Sequence, residues 1–133
     1  MTPNNPMKPN PIHSASAPAA IGPYSQAVAA GNLLFCSGQI ALDPATMQLV
    51  GSTAAEQCTQ VLKNLTAVLA AAGAGTAQIV RTTIYLVSMD DFAAVNEVYG
   101  RWLGEHKPAR ATVAVKQLPK GGLVEIDCIA VLS

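Results

Sequence analysis

The segment formed by residues 108–131 places the strongest constraint on what this chain can fold into. Its first half, residues 109–115, alternates between two faces and places Arg110 on one of them. This period of two is typical of a β-strand. A Pro-Lys-Gly-Gly turn follows, and the second half alternates in the same way with Glu125 on its more polar face. The segment therefore predicts a β-hairpin that carries an arginine and a glutamate on an otherwise apolar ribbon.

Charged side chains in such a ribbon need a partner, because burying an unpaired charge costs free energy that a bound polar ligand can offset. The planar fork of Arg110 matches the two oxygens of a carboxylate, and each such charge-assisted bond contributes about 1.5 to 3 kcal/mol. Glu125 can hold a water molecule. A purely structural interpretation stays open, in which Arg110 pairs with Glu125 or Asp127 or lies in solvent at a strand end.

The remaining elements follow from periodicity and from capping residues. A strand pair over residues 24–36 turns at Gly31, and a helix begins at the capping box of Thr53 and Glu56. Residues 79–87 form a third strand, and residues 90–103 form a second helix. The order of elements predicts an α+β fold, a mixed sheet with two helices on one face. The other face of the sheet then needs a cover, which a subunit partner would supply.

Length and local composition indicate a single domain behind a short arm. The 133 residues suit one domain, predicted over residues 12–133. Residues 1–11 are rich in proline and asparagine and predict a flexible amino-terminal arm. No signal peptide and no long apolar stretch is recognisable, so the expected location is cytoplasmic and no membrane partner is expected.

Charge and cysteine content narrow the possible partners. Eight basic and eight acidic residues cancel, which gives no electrostatic basis for binding nucleic acid. The charged fraction of 12% is low for a monomer. The three cysteines are widely spaced in apolar segments and predict buried thiols, and neither they nor the two histidines have the spacing of a metal site. We therefore expect no metal, and because no Gly-rich phosphate loop is present in the sequence we expect no cofactor.

Asn96 is a polar residue on the apolar stripe of the second predicted helix. It lies four residues after Phe92 and three residues before Tyr99, so its amide faces inward. Two interpretations stay open. The amide can bond a neighbouring loop carbonyl, or it can belong to a ligand pocket.

Four sequence blocks, in order, carry a resemblance to a known family. They are Ala-Pro-Ala-Ala-Ile-Gly-Pro-Tyr-Ser-Gln-Ala from residue 17, Ser-Gly-Gln-Ile from residue 37, Asp-Phe-Ala-Ala-Val-Asn-Glu-Val-Tyr from residue 91, and Pro-Ala-Arg followed by Leu-Pro-Lys and Val-Glu-Ile from residue 108. Together they resemble the YjgF family, also called the RidA or reactive-intermediate deaminase family. The resemblance implies the chorismate-mutase-like YjgF fold and a homotrimer, in which the sheets enclose a central barrel and clefts lie between subunits.

The resemblance also implies the residues of the site. Arg110 matches the family's carboxylate-binding arginine, Glu125 the glutamate that positions the hydrolytic water, and Tyr24 the tyrosine of the first block. Four further residues match positions that line the same pocket: Ser37, Gly38, Asn96 and Thr112. Thr112 stands where a number of bacterial members carry a cysteine, which argues against a thiol role, although its backbone amide could still contact a carboxylate. As alternatives, Tyr24 can cap the sheet edge and Ser37 can be a strand-end turn residue.

The activity that the resemblance implies is hydrolysis of short 2-imino acids, such as 2-iminobutanoate and 2-iminopropanoate, to 2-oxo acids and ammonia. This chemistry needs a carboxylate-binding group, an oriented water and a proton acceptor, and it needs no metal or nucleotide. Three alternatives stay open. They are a non-catalytic sensor that binds a 2-oxo acid, a ribonuclease or translation inhibitor, and a branch that acts on a larger imine or carbamate-like substrate.

Overall fold

A computed structural model of the chain describes residues 8–133. In chain order, its main elements are β1 (Asn10–Ile12), β2 (Ala27–Ala30), β3 (Leu33–Gln39), α1 (Ala54–Ala71), β4 (Ile79–Leu86), α2 (Phe92–Leu103), β5 (Ala109–Ala114) and β6 (Val124–Val131). The strands form one six-stranded sheet in the order β1-β2-β3-β6-β4-β5. The β4–β5 pair is parallel and the other pairs are antiparallel. The predicted mixed sheet of an α+β fold is confirmed.

The two helices cover one face of this sheet. Every second residue of β6, from Val124 to Ala130, is buried on the face that α1 contacts. On the opposite face, large apolar side chains stay exposed, and the exposed fractions of Phe35 and Val113 are 44% and 43%. These side chains leave the face away from the helices partly apolar and uncovered within the single chain.

The predicted hairpin over residues 108–131 is wrong. Strands β5 and β6 are not neighbours, because β4 lies between them and pairs with both. The central position suits β4, whose Ile84 and Leu86 are fully buried, whereas β5 is largely exposed and forms the edge of the sheet. The Pro-Lys-Gly-Gly segment forms a short 3₁₀ turn, Pro119–Gly121, within a longer connection.

The helices agree closely with the sequence patterns. Thr53 and Glu56 form the predicted capping box at the start of α1. The second helix begins at Phe92, slightly later than predicted, because the side chain of Ser88 accepts a bond from the backbone of Asp90 and closes a 3₁₀ turn, Met89–Asp91, ahead of it. No helix within residues 8–133 has the length and hydropathy to cross a membrane.

The amino-terminal region differs from the prediction at its boundary. The expected arm covers residues 1–11, but Asn10 and Pro11 belong to β1, which pairs with β2 at the edge of the sheet. An edge position accepts a proline, since its missing N–H can face away from the ladder. Residues 1–7 lie outside the described residues.

Buried amide side chains hold the loops at one end of the sheet. Gln26 is 2% exposed, and its amide bonds backbone groups of Ser14 and Pro18 over distances of 2.6 to 3.1 Å. In the same way Asn64 donates to the carbonyl of Leu42 at 2.9 Å, and Gln57 accepts from the backbone N–H of Leu123 at 2.8 Å. Because buried amides are costly unless they are bonded, these contacts favour one arrangement of the loops.

The three cysteines are buried and free, as predicted. Burial raises the pKa of the Cys58 thiol to about 12. A thiol with so high a pKa is a poor nucleophile at neutral pH.

Candidate functional site

Arg110 lies on the edge strand β5 and reaches toward α2. Its register partner on β4 is Thr82, and both side chains lie on the face that the helices cover. The guanidinium donates from Nη1 to the side-chain oxygen of Asn96 at 2.5 Å. Its carbon Cζ lies 5.6 Å from the ring centre of Phe92 and 5.3 Å from that of Tyr99. The arginine is therefore held by one hydrogen bond and two cation–π contacts.

One stripe of α2 supplies all three of these contacts. Phe92, Asn96 and Tyr99 are spaced by four and three residues, which brings them to the same face of a helix. The side-chain oxygen of Asn96 accepts this bond from Arg110, and no bond from its amide nitrogen to a loop carbonyl is present within residues 8–133. The stripe was identified as core, and the aromatic contacts with Arg110 were missed. The sequence did contain a signal for these contacts, because Phe92 and Tyr99 lie on either side of the inward-facing Asn96 on one helical stripe.

A cavity of about 430 Å³ adjoins this arginine, and we call it the arginine pocket. It is lined by Asn96, Tyr99, Gly100, Leu103, Gly104, His106, Lys107, Pro108 and Arg110. Within residues 8–133 the recorded ion pair joins Glu97 to Arg101, and none joins Arg110 to Glu125 or Asp127. The structural interpretation of Arg110 as half of a scaffold ion pair is wrong.

Glu125 lines a second cavity, of about 630 Å³, which we call the glutamate pocket. Its lining residues are Pro18, Ala19, Ile21, Tyr24, Ser37, Gly38, Gln39, Ile40, Leu42, Met47, Pro119, Lys120 and Glu125. Glu125 alternates with the buried residues of β6, so its side chain lies on the face away from the helices. The structure thus brings Glu125 together with Tyr24, Ser37 and Gly38.

The carboxyl group of Glu125 is a weaker acid than an ordinary glutamate. Burial raises its pKa, and the negative charge of nearby Asp127 raises the pKa further. Asp127 itself accepts a hydrogen bond from the Tyr85 hydroxyl at 3.1 Å. A carboxylate whose pKa is raised toward neutrality is a better proton acceptor for catalysis near pH 7.

Gly38 leaves the space that Glu125 occupies. A Cβ atom on residue 38 would lie 2.9 Å from the carboxyl carbon Cδ of Glu125 and closer still to its Oε2 atom. Real Cβ atoms essentially never come this close to another group, so any side chain here must displace the carboxyl group. Close approach, and not a positive φ, is the reason for glycine at this position.

We expect Gly38→Ala to leave the fold intact and to lower the activity of the site by about tenfold or more, since a displacement of about 1 Å is sufficient for a loss of this size. Steady-state kinetics alongside thermal unfolding measures both effects. Gly75→Ala is a matched control, because its Cβ would meet nothing within 4 Å and the residue lines neither pocket. Equal activity of the Gly38→Ala variant and the wild type would contradict the positional role of this glycine.

The side chains of Ser37 and Tyr24 differ in their existing contacts, because Ser37 forms a hydrogen bond within the chain whereas Tyr24 is largely exposed. The Ser37 hydroxyl donates to the backbone carbonyl of Ser25 at 2.6 Å, so its proton is engaged while its oxygen can still accept. Ser37 lies within β3, at the irregular pairing between Cys36 and Gln39, and not in a turn at the end of the strand. Tyr24 is 54% exposed at the mouth of the glutamate pocket, where its hydroxyl is available to a ligand.

Thr112 lies two residues beyond Arg110, on the same face of β5. Its hydroxyl oxygen is shielded from solvent and has no hydrogen-bond partner in the part of the chain that the structure describes. A buried hydroxyl normally finds a partner, so this position can accept a contact from a ligand or from a neighbouring molecule.

Within residues 8–133, two non-glycine residues have left-handed backbone conformations, and both line the glutamate pocket. They are Met47 with φ of 59° and Lys120 with φ of 57°. Such conformations cost about 1 to 3 kcal/mol each and concentrate at functional sites. Neither residue was identified from the sequence, because a single sequence carries no signal for them.

The structure does not bring Arg110 and Glu125 together within one chain. Arg110 aligns with Thr82 and Glu125 with Tyr85 on the strand between them. Two strand spacings and an offset of three residues separate their Cα atoms by about 14 Å. The two side chains also lie on opposite faces of the sheet. The arginine pocket and the glutamate pocket are therefore separate in the single chain.

A metal centre has no evident place in either pocket. The structure contains no group of three or more histidine, cysteine, aspartate or glutamate side chains that could hold an ion, as far as residues 8–133 are concerned. The charged or ionisable groups that line the pockets, tyrosines aside, are Arg110, Lys107 and His106 in the arginine pocket and Glu125 and Lys120 in the glutamate pocket.

Comparison with known proteins gives a consistent family. The chain is 57% identical over 122 residues to "Protein DfrA" of Myxococcus xanthus, and the alignment covers 90% of this chain and 93% of the relative. It is 45% identical over 120 residues to the human 2-iminobutanoate/2-iminopropanoate deaminase, covering 90% and 88% respectively. Among solved structures, E. coli TdcF with bound serine is 38% identical with a TM-score of 0.88, covering 93% of this chain and 98% of that one.

A family model agrees with these relatives. The model described as endoribonuclease L-PSP matches residues 14–132, which include all the motifs and both pockets. The chain therefore belongs to the endoribonuclease L-PSP family, the YjgF/RidA family that its motifs predicted.

Proposed function

We propose that this protein hydrolyses short 2-imino acids to 2-oxo acids and ammonia. One observation carries the proposal: the chain presents a guanidinium held in place by Asn96 and two aromatic rings, and separately a half-buried carboxyl group of raised pKa. The guanidinium suits the carboxylate that every 2-imino acid carries, and the carboxyl group suits a base. The deaminase name of the human relative and the serine bound to TdcF support a ligand of amino-acid size.

In the proposed reaction, Arg110 binds the substrate carboxylate and Glu125 holds a water molecule against the imine carbon. Glu125 accepts a proton as the water oxygen bonds to this carbon, which gives a tetrahedral carbinolamine. Starting from the protonated imine, Glu125 then returns this proton to the nitrogen and the C–N bond breaks. The carbinolamine hydroxyl gives its proton to Glu125 as the carbonyl group forms, and the ammonia that leaves takes this proton up as ammonium. Tyr24 and Ser37 are positioned to bond the water or the departing nitrogen. Binding in one orientation makes the attack nearly unimolecular.

We also propose that the active unit is a homotrimer in which Arg110 of one subunit meets Glu125 of its neighbour. A four-carbon 2-imino acid spans only about 5 Å. It cannot contact both residues of a single chain, because they lie on opposite faces of the sheet. The exposed apolar side chains on the face away from the helices support an assembly through that face. The unpaired hydroxyl of Thr112 would then find its partner in the cleft.

The decisive experiment supplies threonine to a purified threonine dehydratase and follows ammonia and 2-oxobutanoate with and without this protein. Conditions are chosen in which the released 2-iminobutanoate hydrolyses slowly on its own. We expect faster ammonia release that saturates with enzyme. If the protein does not accelerate ammonia release but still binds 2-oxobutanoate, the non-catalytic sensor is favoured. A series of larger imines then tests the alternative of a family branch with a larger substrate.

A further inference from the structure

A buried hydrogen bond lies directly beneath the guanidinium of Arg110. The hydroxyl groups of Thr82 on β4 and Tyr99 on α2 are 2.6 Å apart. Thr82 is fully buried, and Tyr99 is 5% exposed. The bond joins the middle of the sheet to the helix that carries Asn96, and neither residue belongs to the site predicted from the sequence.

The two residues contact the arginine from different directions. Thr82 is the register partner of Arg110 across the parallel β4–β5 pair. The Tyr99 ring lies 5.3 Å from Cζ of Arg110, within the range of a cation–π contact. The ring is therefore anchored at its hydroxyl end to the strand beside Arg110, while its face supports the guanidinium.

We propose that Thr82 and Tyr99 are positioning residues for Arg110, with their hydroxyl pair fixing the ring on which the guanidinium rests. The inference rests on the proposed function, because it assigns Arg110 the carboxylate of the substrate. Asn96 then fixes one nitrogen of the guanidinium, and the anchored ring fixes its plane. The remaining donors are presented to the ligand in one orientation.

The electrostatic environment of Tyr99 agrees with this contact. Burial raises the pKa of its hydroxyl, and the hydrogen bond with Thr82 and the positive charge of Arg110 partly oppose that rise. The phenol thus stays neutral, and either hydroxyl group of the pair can donate the hydrogen bond. A pair that served only to fill the core would need no hydroxyl groups, because phenylalanine and valine occupy nearly the same volumes.

A double-variant design separates positioning from simple core stability. Tyr99→Phe or Thr82→Val alone leaves one buried hydroxyl unpaired, so each single variant lowers the melting temperature. The double variant Thr82→Val/Tyr99→Phe removes both hydroxyl groups and recovers much of this loss. We expect its affinity for 2-oxobutanoate to remain weaker by about three- to tenfold, because the ring is no longer anchored.

The measurement is the Kd for 2-oxobutanoate by titration calorimetry, together with KM and kcat in the dehydratase assay. We expect KM to rise and kcat to change little. Thr66→Val is the matched control. It also deletes a hydroxyl bonded to an aromatic side chain of α2, the indole N–H of Trp102 at 2.9 Å, but the rings recorded beneath the guanidinium are those of Phe92 and Tyr99.

The outcomes distinguish this inference from the proposed function. A double variant that binds 2-oxobutanoate as tightly as the wild type overturns the positioning role and leaves a core hydrogen bond only. If the wild type itself does not bind 2-oxobutanoate, the assignment of Arg110 fails and the inference fails with it. Weaker binding that persists after the melting temperature has recovered supports both.

Discussion

An Arg110→Ala variant is expected to lose 2-oxo acid binding and nearly all imine hydrolysis while remaining folded. Two charge-assisted bonds to a carboxylate contribute about 3 to 6 kcal/mol, which corresponds to a loss in kcat/KM of about 10² to 10⁴. The side chain is exposed at the edge of the sheet, so its removal costs the fold little. Titration with 2-oxobutanoate and the dehydratase assay measure the two losses.

Arg110→Lys is the matched control for this experiment. Lysine keeps the positive charge but lacks the planar fork of donors, so it cannot make two parallel bonds to a carboxylate or stack in the same way on Phe92 and Tyr99. We expect its activity to lie between those of the alanine variant and the wild type. Loss of folding in either variant would instead mean that Arg110 is part of the scaffold.

A Glu125→Gln variant is expected to retain 2-oxo acid binding and to lose about 10² to 10⁴ in kcat, the usual contribution of a general base. Glutamine has nearly the same shape, so the glutamate pocket stays intact, but its amide cannot accept a proton from water. Kinetics and calorimetry on the same preparation separate these two effects. Unchanged turnover would remove Glu125 from the water-activating role.

The pH dependence of the wild type gives an independent test of this role. Glu125 must be ionised to act as a base, and its pKa is raised by burial and by Asp127. Activity is therefore present above this raised pKa and is lost as the pH falls through it, at a higher pH than for an ordinary glutamate. Asp127→Asn removes a negative charge that raises the pKa, so the acidic limb of its profile moves to lower pH.

Mixing the two inactive variants tests whether the site lies between subunits. If Arg110→Ala and Glu125→Gln chains are unfolded together and refolded as mixed trimers, a cleft with both wild-type residues forms wherever the appropriate chains meet. Random assembly of equal amounts gives such clefts in about a quarter of cases. Recovery of about a quarter of the wild-type activity is expected, whereas a site within one chain would recover none.

The local features of the fold were predictable, because they depend on neighbouring residues. The capping box of Thr53 and Glu56 and the apolar stripe of α1 follow directly from spacing. The order of the strands does not. Two alternating segments joined by a Pro-Lys-Gly-Gly turn predict a hairpin, and only long-range pairing explains why β4 lies between them.

The candidate site was predictable in composition but not in arrangement. Motifs identified Arg110, Glu125 and Asn96, since these residue types suit the chemistry. The placement of Arg110 and Glu125 on opposite faces of the sheet depends on the register of β4 with both of its neighbours, which no local pattern encodes. The contact of Tyr99 with Arg110 was missed for a related reason, because an aromatic residue on a helical stripe is typical of core packing.

The placement of the two pockets on different elements has an evolutionary consequence. The arginine pocket is built by β5, α2 and the turn that joins them, whereas the loops around β3 and the start of β6 build the glutamate pocket. If Arg110 binds the substrate carboxylate as proposed, substitutions that reshape the second set alter which side chain of a substrate is accepted without disturbing the arginine pocket. Duplicated genes of such a protein can diverge in specificity through one half of the site while they inherit the other half unchanged.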